Sequence, residues 1–175
     1  MRLYLTFQQY KYKVYHYLTL FLFFFILIYA YNHNVLKDFA LPLIGIFLLS
    51  MYFWDRSLKY KYGKKAEERI ERLIKNCVKG DIKIKKDVKI NYGNIDFMLI
   101  TKEKILIIEV KAGKFDEVRT RKTIQQVLRQ INYMKSKEKN KKVDAVVVYS
   151  GQSKTVDGVR FVSNKELCSY IQRWL

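Results

Sequence analysis

Two stretches near the start of the chain restrict its fold more than anything else in it. Val14–Tyr31 (VYHYLTLFLFFFILIYAY) runs eighteen residues without a formal charge, and Phe39–Trp54 (FALPLIGIFLLSMYFW) runs sixteen. As helices they reach roughly 27 and 24 Å at about 1.5 Å per residue, against a hydrocarbon thickness of about 30 Å. Both are apolar all round, whereas a soluble hairpin would show water one polar face. Tyr and Trp crowd their ends, where amphipathic rings favour the headgroup layer. The reading is a two-helix transmembrane hairpin with a polar turn over Asn32–Asp38. Pro42 falls in the first turn or so of the second helix, where a missing N–H does least harm. A cleaved signal peptide competes for the first run, but no A-x-A-like site follows it and a second apolar run comes at once.

The flanks set an orientation. Arg2, Lys11 and Lys13 precede the first run, and Arg56, Lys59, Lys61, Lys64 and Lys65 follow the second, while the turn holds only Lys37 and Asp38. By the positive-inside rule both termini, and the domain that follows, face the cytoplasm. The expected division is therefore a membrane anchor over residues 1–55 and a second domain over 56–175.

That second domain is strongly basic. The chain has 34 Lys and Arg and 16 Asp and Glu. Four of the bases and one of the acids precede Asp55, which leaves 30 against 15, a net +15 in the remainder. Such an excess favours polyanions, either nucleic acid or anionic lipid. Solubility or a lysine-rich coding bias would produce it too. Cys77 and Cys168 form no CxxC pair, and His16 lies within the first apolar run and His33 just after it, so no zinc-ligand cluster exists. The cysteines are expected as reduced residues in or near the core.

Tyr60–Tyr62 reads as a link. From Gly63 a helical period runs through Ala66, Ile70, Leu73, Ile74 and Cys77, and Gly80 and Asp81 end it. Ile82–Ile90 alternates apolar residues with lysine, a half-exposed strand, and Asn91–Asn94 makes a turn. Ile95–Thr101 and Lys104–Lys111 are apolar, β-branched strands joined at Lys102-Glu103. Residues 119–136 return to helical spacing, and the basic stretch Lys135–Lys142 reads as a loop. Val143–Tyr149 is an interior strand and Val159–Val162 a short one, and Ser163 caps a last helix to Trp174. The order α-β-β-β-α-β-β-α predicts an α/β fold with a mixed central sheet flanked by helices.

The hairpin carries the chemistry. With Lys102 and Glu103 as its two loop residues, Asp96 lies directly opposite Glu109, their Cβ atoms about 4.5–5.5 Å apart, and Lys111 projects on the same face. Lys-Glu is not a favoured two-residue turn, and a one-residue slip would put the acids on different faces. Two opposed buried carboxylates repel and cost desolvation, which a divalent cation offsets. Oxygen ligands select magnesium or manganese over zinc. Lys111 beside them can hold a water or stabilise charge on a phosphoryl oxygen. An ordinary salt-bridge cluster at a sheet end accounts for the same spacing.

These residues resemble a known family. Ile108-Glu109-Val110-Lys111 after an apolar strand, with Gly93-Asn94-Ile95-Asp96 on the preceding one, is similar to the PD-(D/E)xK restriction-endonuclease-like superfamily and, more narrowly, to its nuclease-related domain. The opening helix matches that pattern in Gly63-Lys64-Lys65-Ala66-Glu67, and the helix after the lysine strand in Gln126 of QQVLRQI. The likeness spans roughly residues 60 to 175. The proline often found before the first acid is replaced here by Asn94-Ile95.

The resemblance implies a restriction-endonuclease-like fold and a magnesium- or manganese-dependent nuclease acting on nucleic acid, with DNA as the expected substrate. Asp96, Glu109 and the Val110 carbonyl would hold the metal, Lys111 would act on the attacking water, Glu67 would assist, and Gln126 would position the site. Gln125 or Gln130 could take the place of Gln126, and Glu67 could instead be a plain acid at a helix start. Dimers are common in the superfamily, so a homodimer is an expectation. A tethered module that binds nucleic acid without cutting it, and a basic domain lying on anionic lipid, are the alternatives.

Overall fold

The computed structural model describes residues 2–78, 80–91, 93–113 and 116–175, with the side chains from residue 4 onward. The chain divides into two compact units, Arg2–Lys64 and Lys65–Leu175.

The first unit is a helical hairpin made by α1 (Arg2–Asn32) and the first part of α2 (Leu36–Cys77). Its seam steps by four and three residues through Leu5, Gln9, Tyr12, His16, Thr19, Phe23, Ile26 and Ala30 on α1. On α2 it steps likewise through Phe39, Leu43, Ile46, Ser50, Phe53, Ser57 and Tyr60, and each of these is buried or half-buried. This is the heptad spacing that lets two helices pack along a continuous seam. Polar groups within it find partners: Ser50 Oγ lies 2.7 Å from His16 Nδ1, and Ser57 Oγ donates to the Gln9 carbonyl at 3.4 Å. Tyr12 stacks on Tyr60 with ring centroids 5.6 Å apart. The other faces leave Phe21, Phe25, Leu41 and Leu48 exposed. Both helices are long and apolar enough to cross a membrane.

Two expectations here are corrected. The turn is shorter than Asn32–Asp38, because α2 already starts at Leu36, which puts Pro42 seventh in the helix. The link at Tyr60–Tyr62 is also helical, for α2 runs unbroken to Cys77. Between Asp55 and Lys65 there is no proline and one glycine, Gly63, which costs only about 1 kcal/mol.

The second unit holds a six-stranded sheet in the order β1-β2-β3-β4-β6-β5. Its strands are β1 (Lys83–Ile90), β2 (Gly93–Ile100), β3 (Lys104–Val110), β4 (Lys142–Tyr149), β5 (Lys154–Val156) and β6 (Val159–Ser163). The helices are the last part of α2, α3 (Glu117–Lys137) and α4 (Leu167–Trp174). The strands β1, β2 and β3 form an antiparallel meander, β3, β4 and β6 are parallel, and β5 closes the far edge antiparallel to β6. Lysines 83, 85 and 89 stand exposed on edge strand β1, where charge discourages pairing with another chain.

One face of the sheet packs Phe97, Leu99, Leu106, Ile108, Val146 and Val148 under Ile70 and Ile74 of α2 and Leu167 and Ile171 of α4. The other meets α3 through Ile124, Val127 and Met134. The strands β3 and β4 are buried on both faces, which is why their sequences run apolar without alternation.

Compared with the sequence expectation, β5 is an addition and the helix α3 reaches into the stretch read as a loop. Of the turn expected over Asn91–Asn94, residue 92 lies outside the described residues, and Gly93 and Asn94 already belong to β2. Ser163 ends β6 instead of capping a helix; the N-cap of α4 is Glu166. The cysteines are not separate thiols: Cys77, the last residue of α2, and Cys168 of α4 form a disulfide with Cα atoms 5.3 Å apart. A separation of 91 residues gave no hint of that pairing.

Candidate active site

The two central strands bring the site together. The β2–β3 ladder pairs Ile100 with Ile105, Leu99 with Leu106, Met98 with Ile107 and Phe97 with Ile108. That is the register expected from a Lys102-Glu103 turn, and its next step sets Asp96 beside Glu109. Backbone pairing stops there and the Asp96 side chain takes over: Oδ2 accepts the Val110 N–H at 2.7 Å. Asp96 and Glu109 are each 3 % exposed, so both acids are deep in the fold.

Glu109 is held on three sides. Its Oε1 accepts from Lys111 Nζ at 2.7 Å and from Gln126 Nε2 at 2.8 Å, and its Oε2 accepts from Gln130 Nε2 at 3.2 Å. Lys111 Nζ also donates to Gln126 Oε1 at 3.1 Å. Residues 126 and 130 are one helical turn apart on α3 and so present one face. The helix is started by Asp116, whose Oδ1 accepts the Arg119 N–H at 2.7 Å.

The charges explain the electrostatics. Burial, reinforced by the negative charge of Glu109 and then of Glu67, pushes the Asp96 carboxyl up to about 8. The Val110 N–H and the Lys111 ammonium pull the other way and do not prevail. Asp96 Oδ1 is buried and has no hydrogen-bond partner, and neither does Gln130 Oε1. Three buried carboxylates, Glu67, Asp96 and Glu109, thus lie within electrostatic reach of one another, and the Lys111 ammonium is bound to Glu109. A buried carboxylate oxygen with no donor is what a hard cation could satisfy, and an all-oxygen donor set is of the kind magnesium or manganese takes. Among the described residues no group of three or more His, Cys, Asp or Glu forms a metal cage of its own. The buried acids that could hold such an ion are Asp96 and Glu109.

The structure brings together Asp96, Glu109, Val110, Lys111 and Gln126. Glu67 on α2 is 5 % exposed, and its charge reaches Asp96. Gln125 is exposed and lies apart from Glu109's hydrogen bonds. Gln130 joins Gln126 instead of replacing it; fully buried, it also donates to the Asn94 carbonyl at 3.1 Å. Its sequence signal was the i, i+4 glutamine pair on the helix that follows Lys111.

The model of the nuclease-related domain matches residues 62–150. This chain belongs to the nuclease-related domain family. The matched stretch contains Glu67, Asp96, Glu109, Val110, Lys111, Gln126 and Gln130, and it fits the nuclease-like α/β architecture. In this nuclease-related domain the elements β5, β6 and α4 lie beyond the matched residues. No curated protein and no solved structure matches the chain.

Proposed function

We propose that the chain is a membrane-anchored, magnesium- or manganese-dependent nuclease that hydrolyses phosphodiester bonds in DNA. The observation that carries this is the buried Asp96–Glu109 pair with the Lys111 ammonium 2.7 Å from Glu109. Asp96, Glu109 and the Val110 carbonyl would hold the cation, whose chemistry there would be charge stabilisation at a phosphoryl oxygen and a lowered pKa of a bound water.

The residues around it do the positioning. Lys111 uses two of its three N–H groups on Glu109 and Gln126, which leaves a third for the attacking water or the phosphoryl oxygen. Gln126 and Gln130 fix the Glu109 carboxylate and keep its rotamer. Glu67 assists by accepting a proton or a water hydrogen bond. The water oxygen forms the new bond to phosphorus as the bond to the leaving sugar oxygen breaks; the proton the water loses passes to Glu67 or to solvent, and the leaving oxygen takes one up from solvent. The net charge of +15 beyond the apolar runs supplies salt-sensitive affinity for the phosphate backbone.

Anchoring is supported by the two long apolar helices α1 and α2, and the positive-inside rule applied to their lysine and arginine flanks favours both termini and the nuclease-related domain on the cytoplasmic side. The test uses the full chain in detergent micelles with supercoiled plasmid. Magnesium or manganese is expected to support nicking, and Glu109→Ala/Lys111→Ala to lower the rate at least about a hundredfold. Equal cleavage by the double variant would refute the assignment. Metal-independent DNA binding without cleavage would select the tethered binding module.

A further inference from the structure

Two grooves flank the acid cluster. The first, about 460 Å³, is lined by Gly93, Lys122, Gln125, Gln126 and Arg129. Gln126 also bonds Glu109 and Lys111, so this groove opens onto the candidate site itself. The second, about 690 Å³, lies where β4 and β6 end and takes in Arg69, Ser150, Asn164 and Lys165. The acid in its lining, Glu166, is engaged by Ser153 Oγ.

The topology places both grooves at the strand-end edge of the sheet, the first on the α3 side and the second reaching Arg69 on the α2 side. The strands β3, β4 and β6 are parallel, so Lys111, Ser150 and Asn164 all follow C-terminal strand ends. The antiparallel β2 starts at that same edge with Gly93 and Asp96. From β2 to β6 there are three strand intervals, which is about 14 Å at roughly 4.8 Å each. Along a DNA duplex, with about 3.4 Å per nucleotide of a strand, that lateral distance alone covers about four nucleotides, and the offset between the two faces lengthens the span. Arg69, Lys122, Arg129 and Lys165 are all exposed, and among the described residues none of them enters an ion pair.

We infer that these two grooves form one phosphate track across the strand ends, with Lys122 and Arg129 gripping the DNA backbone on one side of the acid pair and Arg69 and Lys165 on the other. This rests on the nuclease reading above and assigns its substrate path. The side-chain amides and hydroxyls of Gln125, Ser150 and Asn164 add neutral donors to phosphate oxygens, which position without reading sequence. A backbone held at both ends centres a phosphodiester over Asp96, Glu109 and Lys111.

The test is binding of a fluorescein-labelled 12-base-pair duplex to the full chain in micelles. Fluorescence anisotropy is followed from 50 to 300 mM salt, with EDTA present so that cleavage does not interfere. Each lost phosphate contact lowers the slope of log K against log salt by about 0.9. Lys122→Ala/Arg129→Ala and Arg69→Ala/Lys165→Ala are each expected to flatten the slope by nearly two. Lys102→Ala/Lys139→Ala, exposed lysines at the opposite edge of the sheet, are expected to leave it unchanged. If neither groove pair moves the slope while plasmid cleavage persists, the track is overturned and the nuclease reading stands. If all three pairs flatten it equally, the affinity is diffuse and the track is again overturned. If the wild type neither binds DNA nor cleaves it, both fall.

Discussion

Replacing Asp96 with Asn removes a charge the fold resists while keeping nearly the same shape and an acceptor for the Val110 N–H. The Asp96 carboxyl stands at about 8 in the fold against 3.8 when free. At about 1.4 kcal/mol per pH unit, that displacement amounts to roughly 5–6 kcal/mol. Because the folded value is raised, the unfolded chain gives up this proton first. Stability is therefore complete below about pH 4 and is lost as the pH climbs toward 8. Between pH 5 and pH 8 the group removes roughly 3–4 kcal/mol. Asp96→Asn has no such dependence and is expected to gain on the wild type by that amount over the interval.

Urea unfolding of the full chain in micelles, with EDTA, checks this. Trp174 serves as the reporter in a Trp54→Phe background, because its indole N–H donates to Asp144 Oδ2 at 3.0 Å within the second unit. Adding magnesium should restore the wild type at pH 8 and leave the variant unmoved. Parallel pH profiles for the two proteins would refute the reasoning.

Gln130→Ala leaves the Glu109 Oε2 and the Asn94 carbonyl without their donor and opens a void. It is expected to cost about 1–3 kcal/mol in urea unfolding and to lower cleavage more than it weakens DNA binding. Reducing the Cys77–Cys168 bond, or Cys77→Ser/Cys168→Ser, releases a link across 91 residues and is expected to cost roughly 2–4 kcal/mol by the same assay. Ile74→Ala, in the cluster with Phe97 and Leu99, is expected to lose about 2–5 kcal/mol with the hairpin of α1 and α2 unaffected.

Where burial dictates pattern, the sequence was a good guide. The apolar runs of β2 and β3 left only Lys102-Glu103 free to turn, so the register that brings Asp96 to Glu109 followed from counting residues. The stripe of α3 likewise predicted its buried face. What could not be read depends on long-range meeting or on weak local signals. The disulfide joins helices at opposite ends of the domain. The continuation of α2 through Tyr60–Tyr62 turns on the lack of a helix breaker, while composition suggested a boundary there. The β5–β6 hairpin did carry a signal: Asp157 and Gly158 both adopt positive φ, 47° and 74°, the Asp-Gly turn that joins antiparallel strands. A three-residue strand before it was too short to stand out. Gln130 was within reach as one of three nearby glutamines, but choosing it required the rotation of α3 over the sheet.

The sharing of one divalent cation by Asp96 and Glu109 is tested most directly by titrating the full chain with Mn2+ and following the free-ion signal by electron paramagnetic resonance. The wild type is expected to withdraw at least one Mn2+ per chain, displaceable by magnesium, whereas Asp96→Asn and Glu109→Gln withdraw none at the same concentrations. Undiminished uptake by both variants, or none by the wild type, would contradict the account.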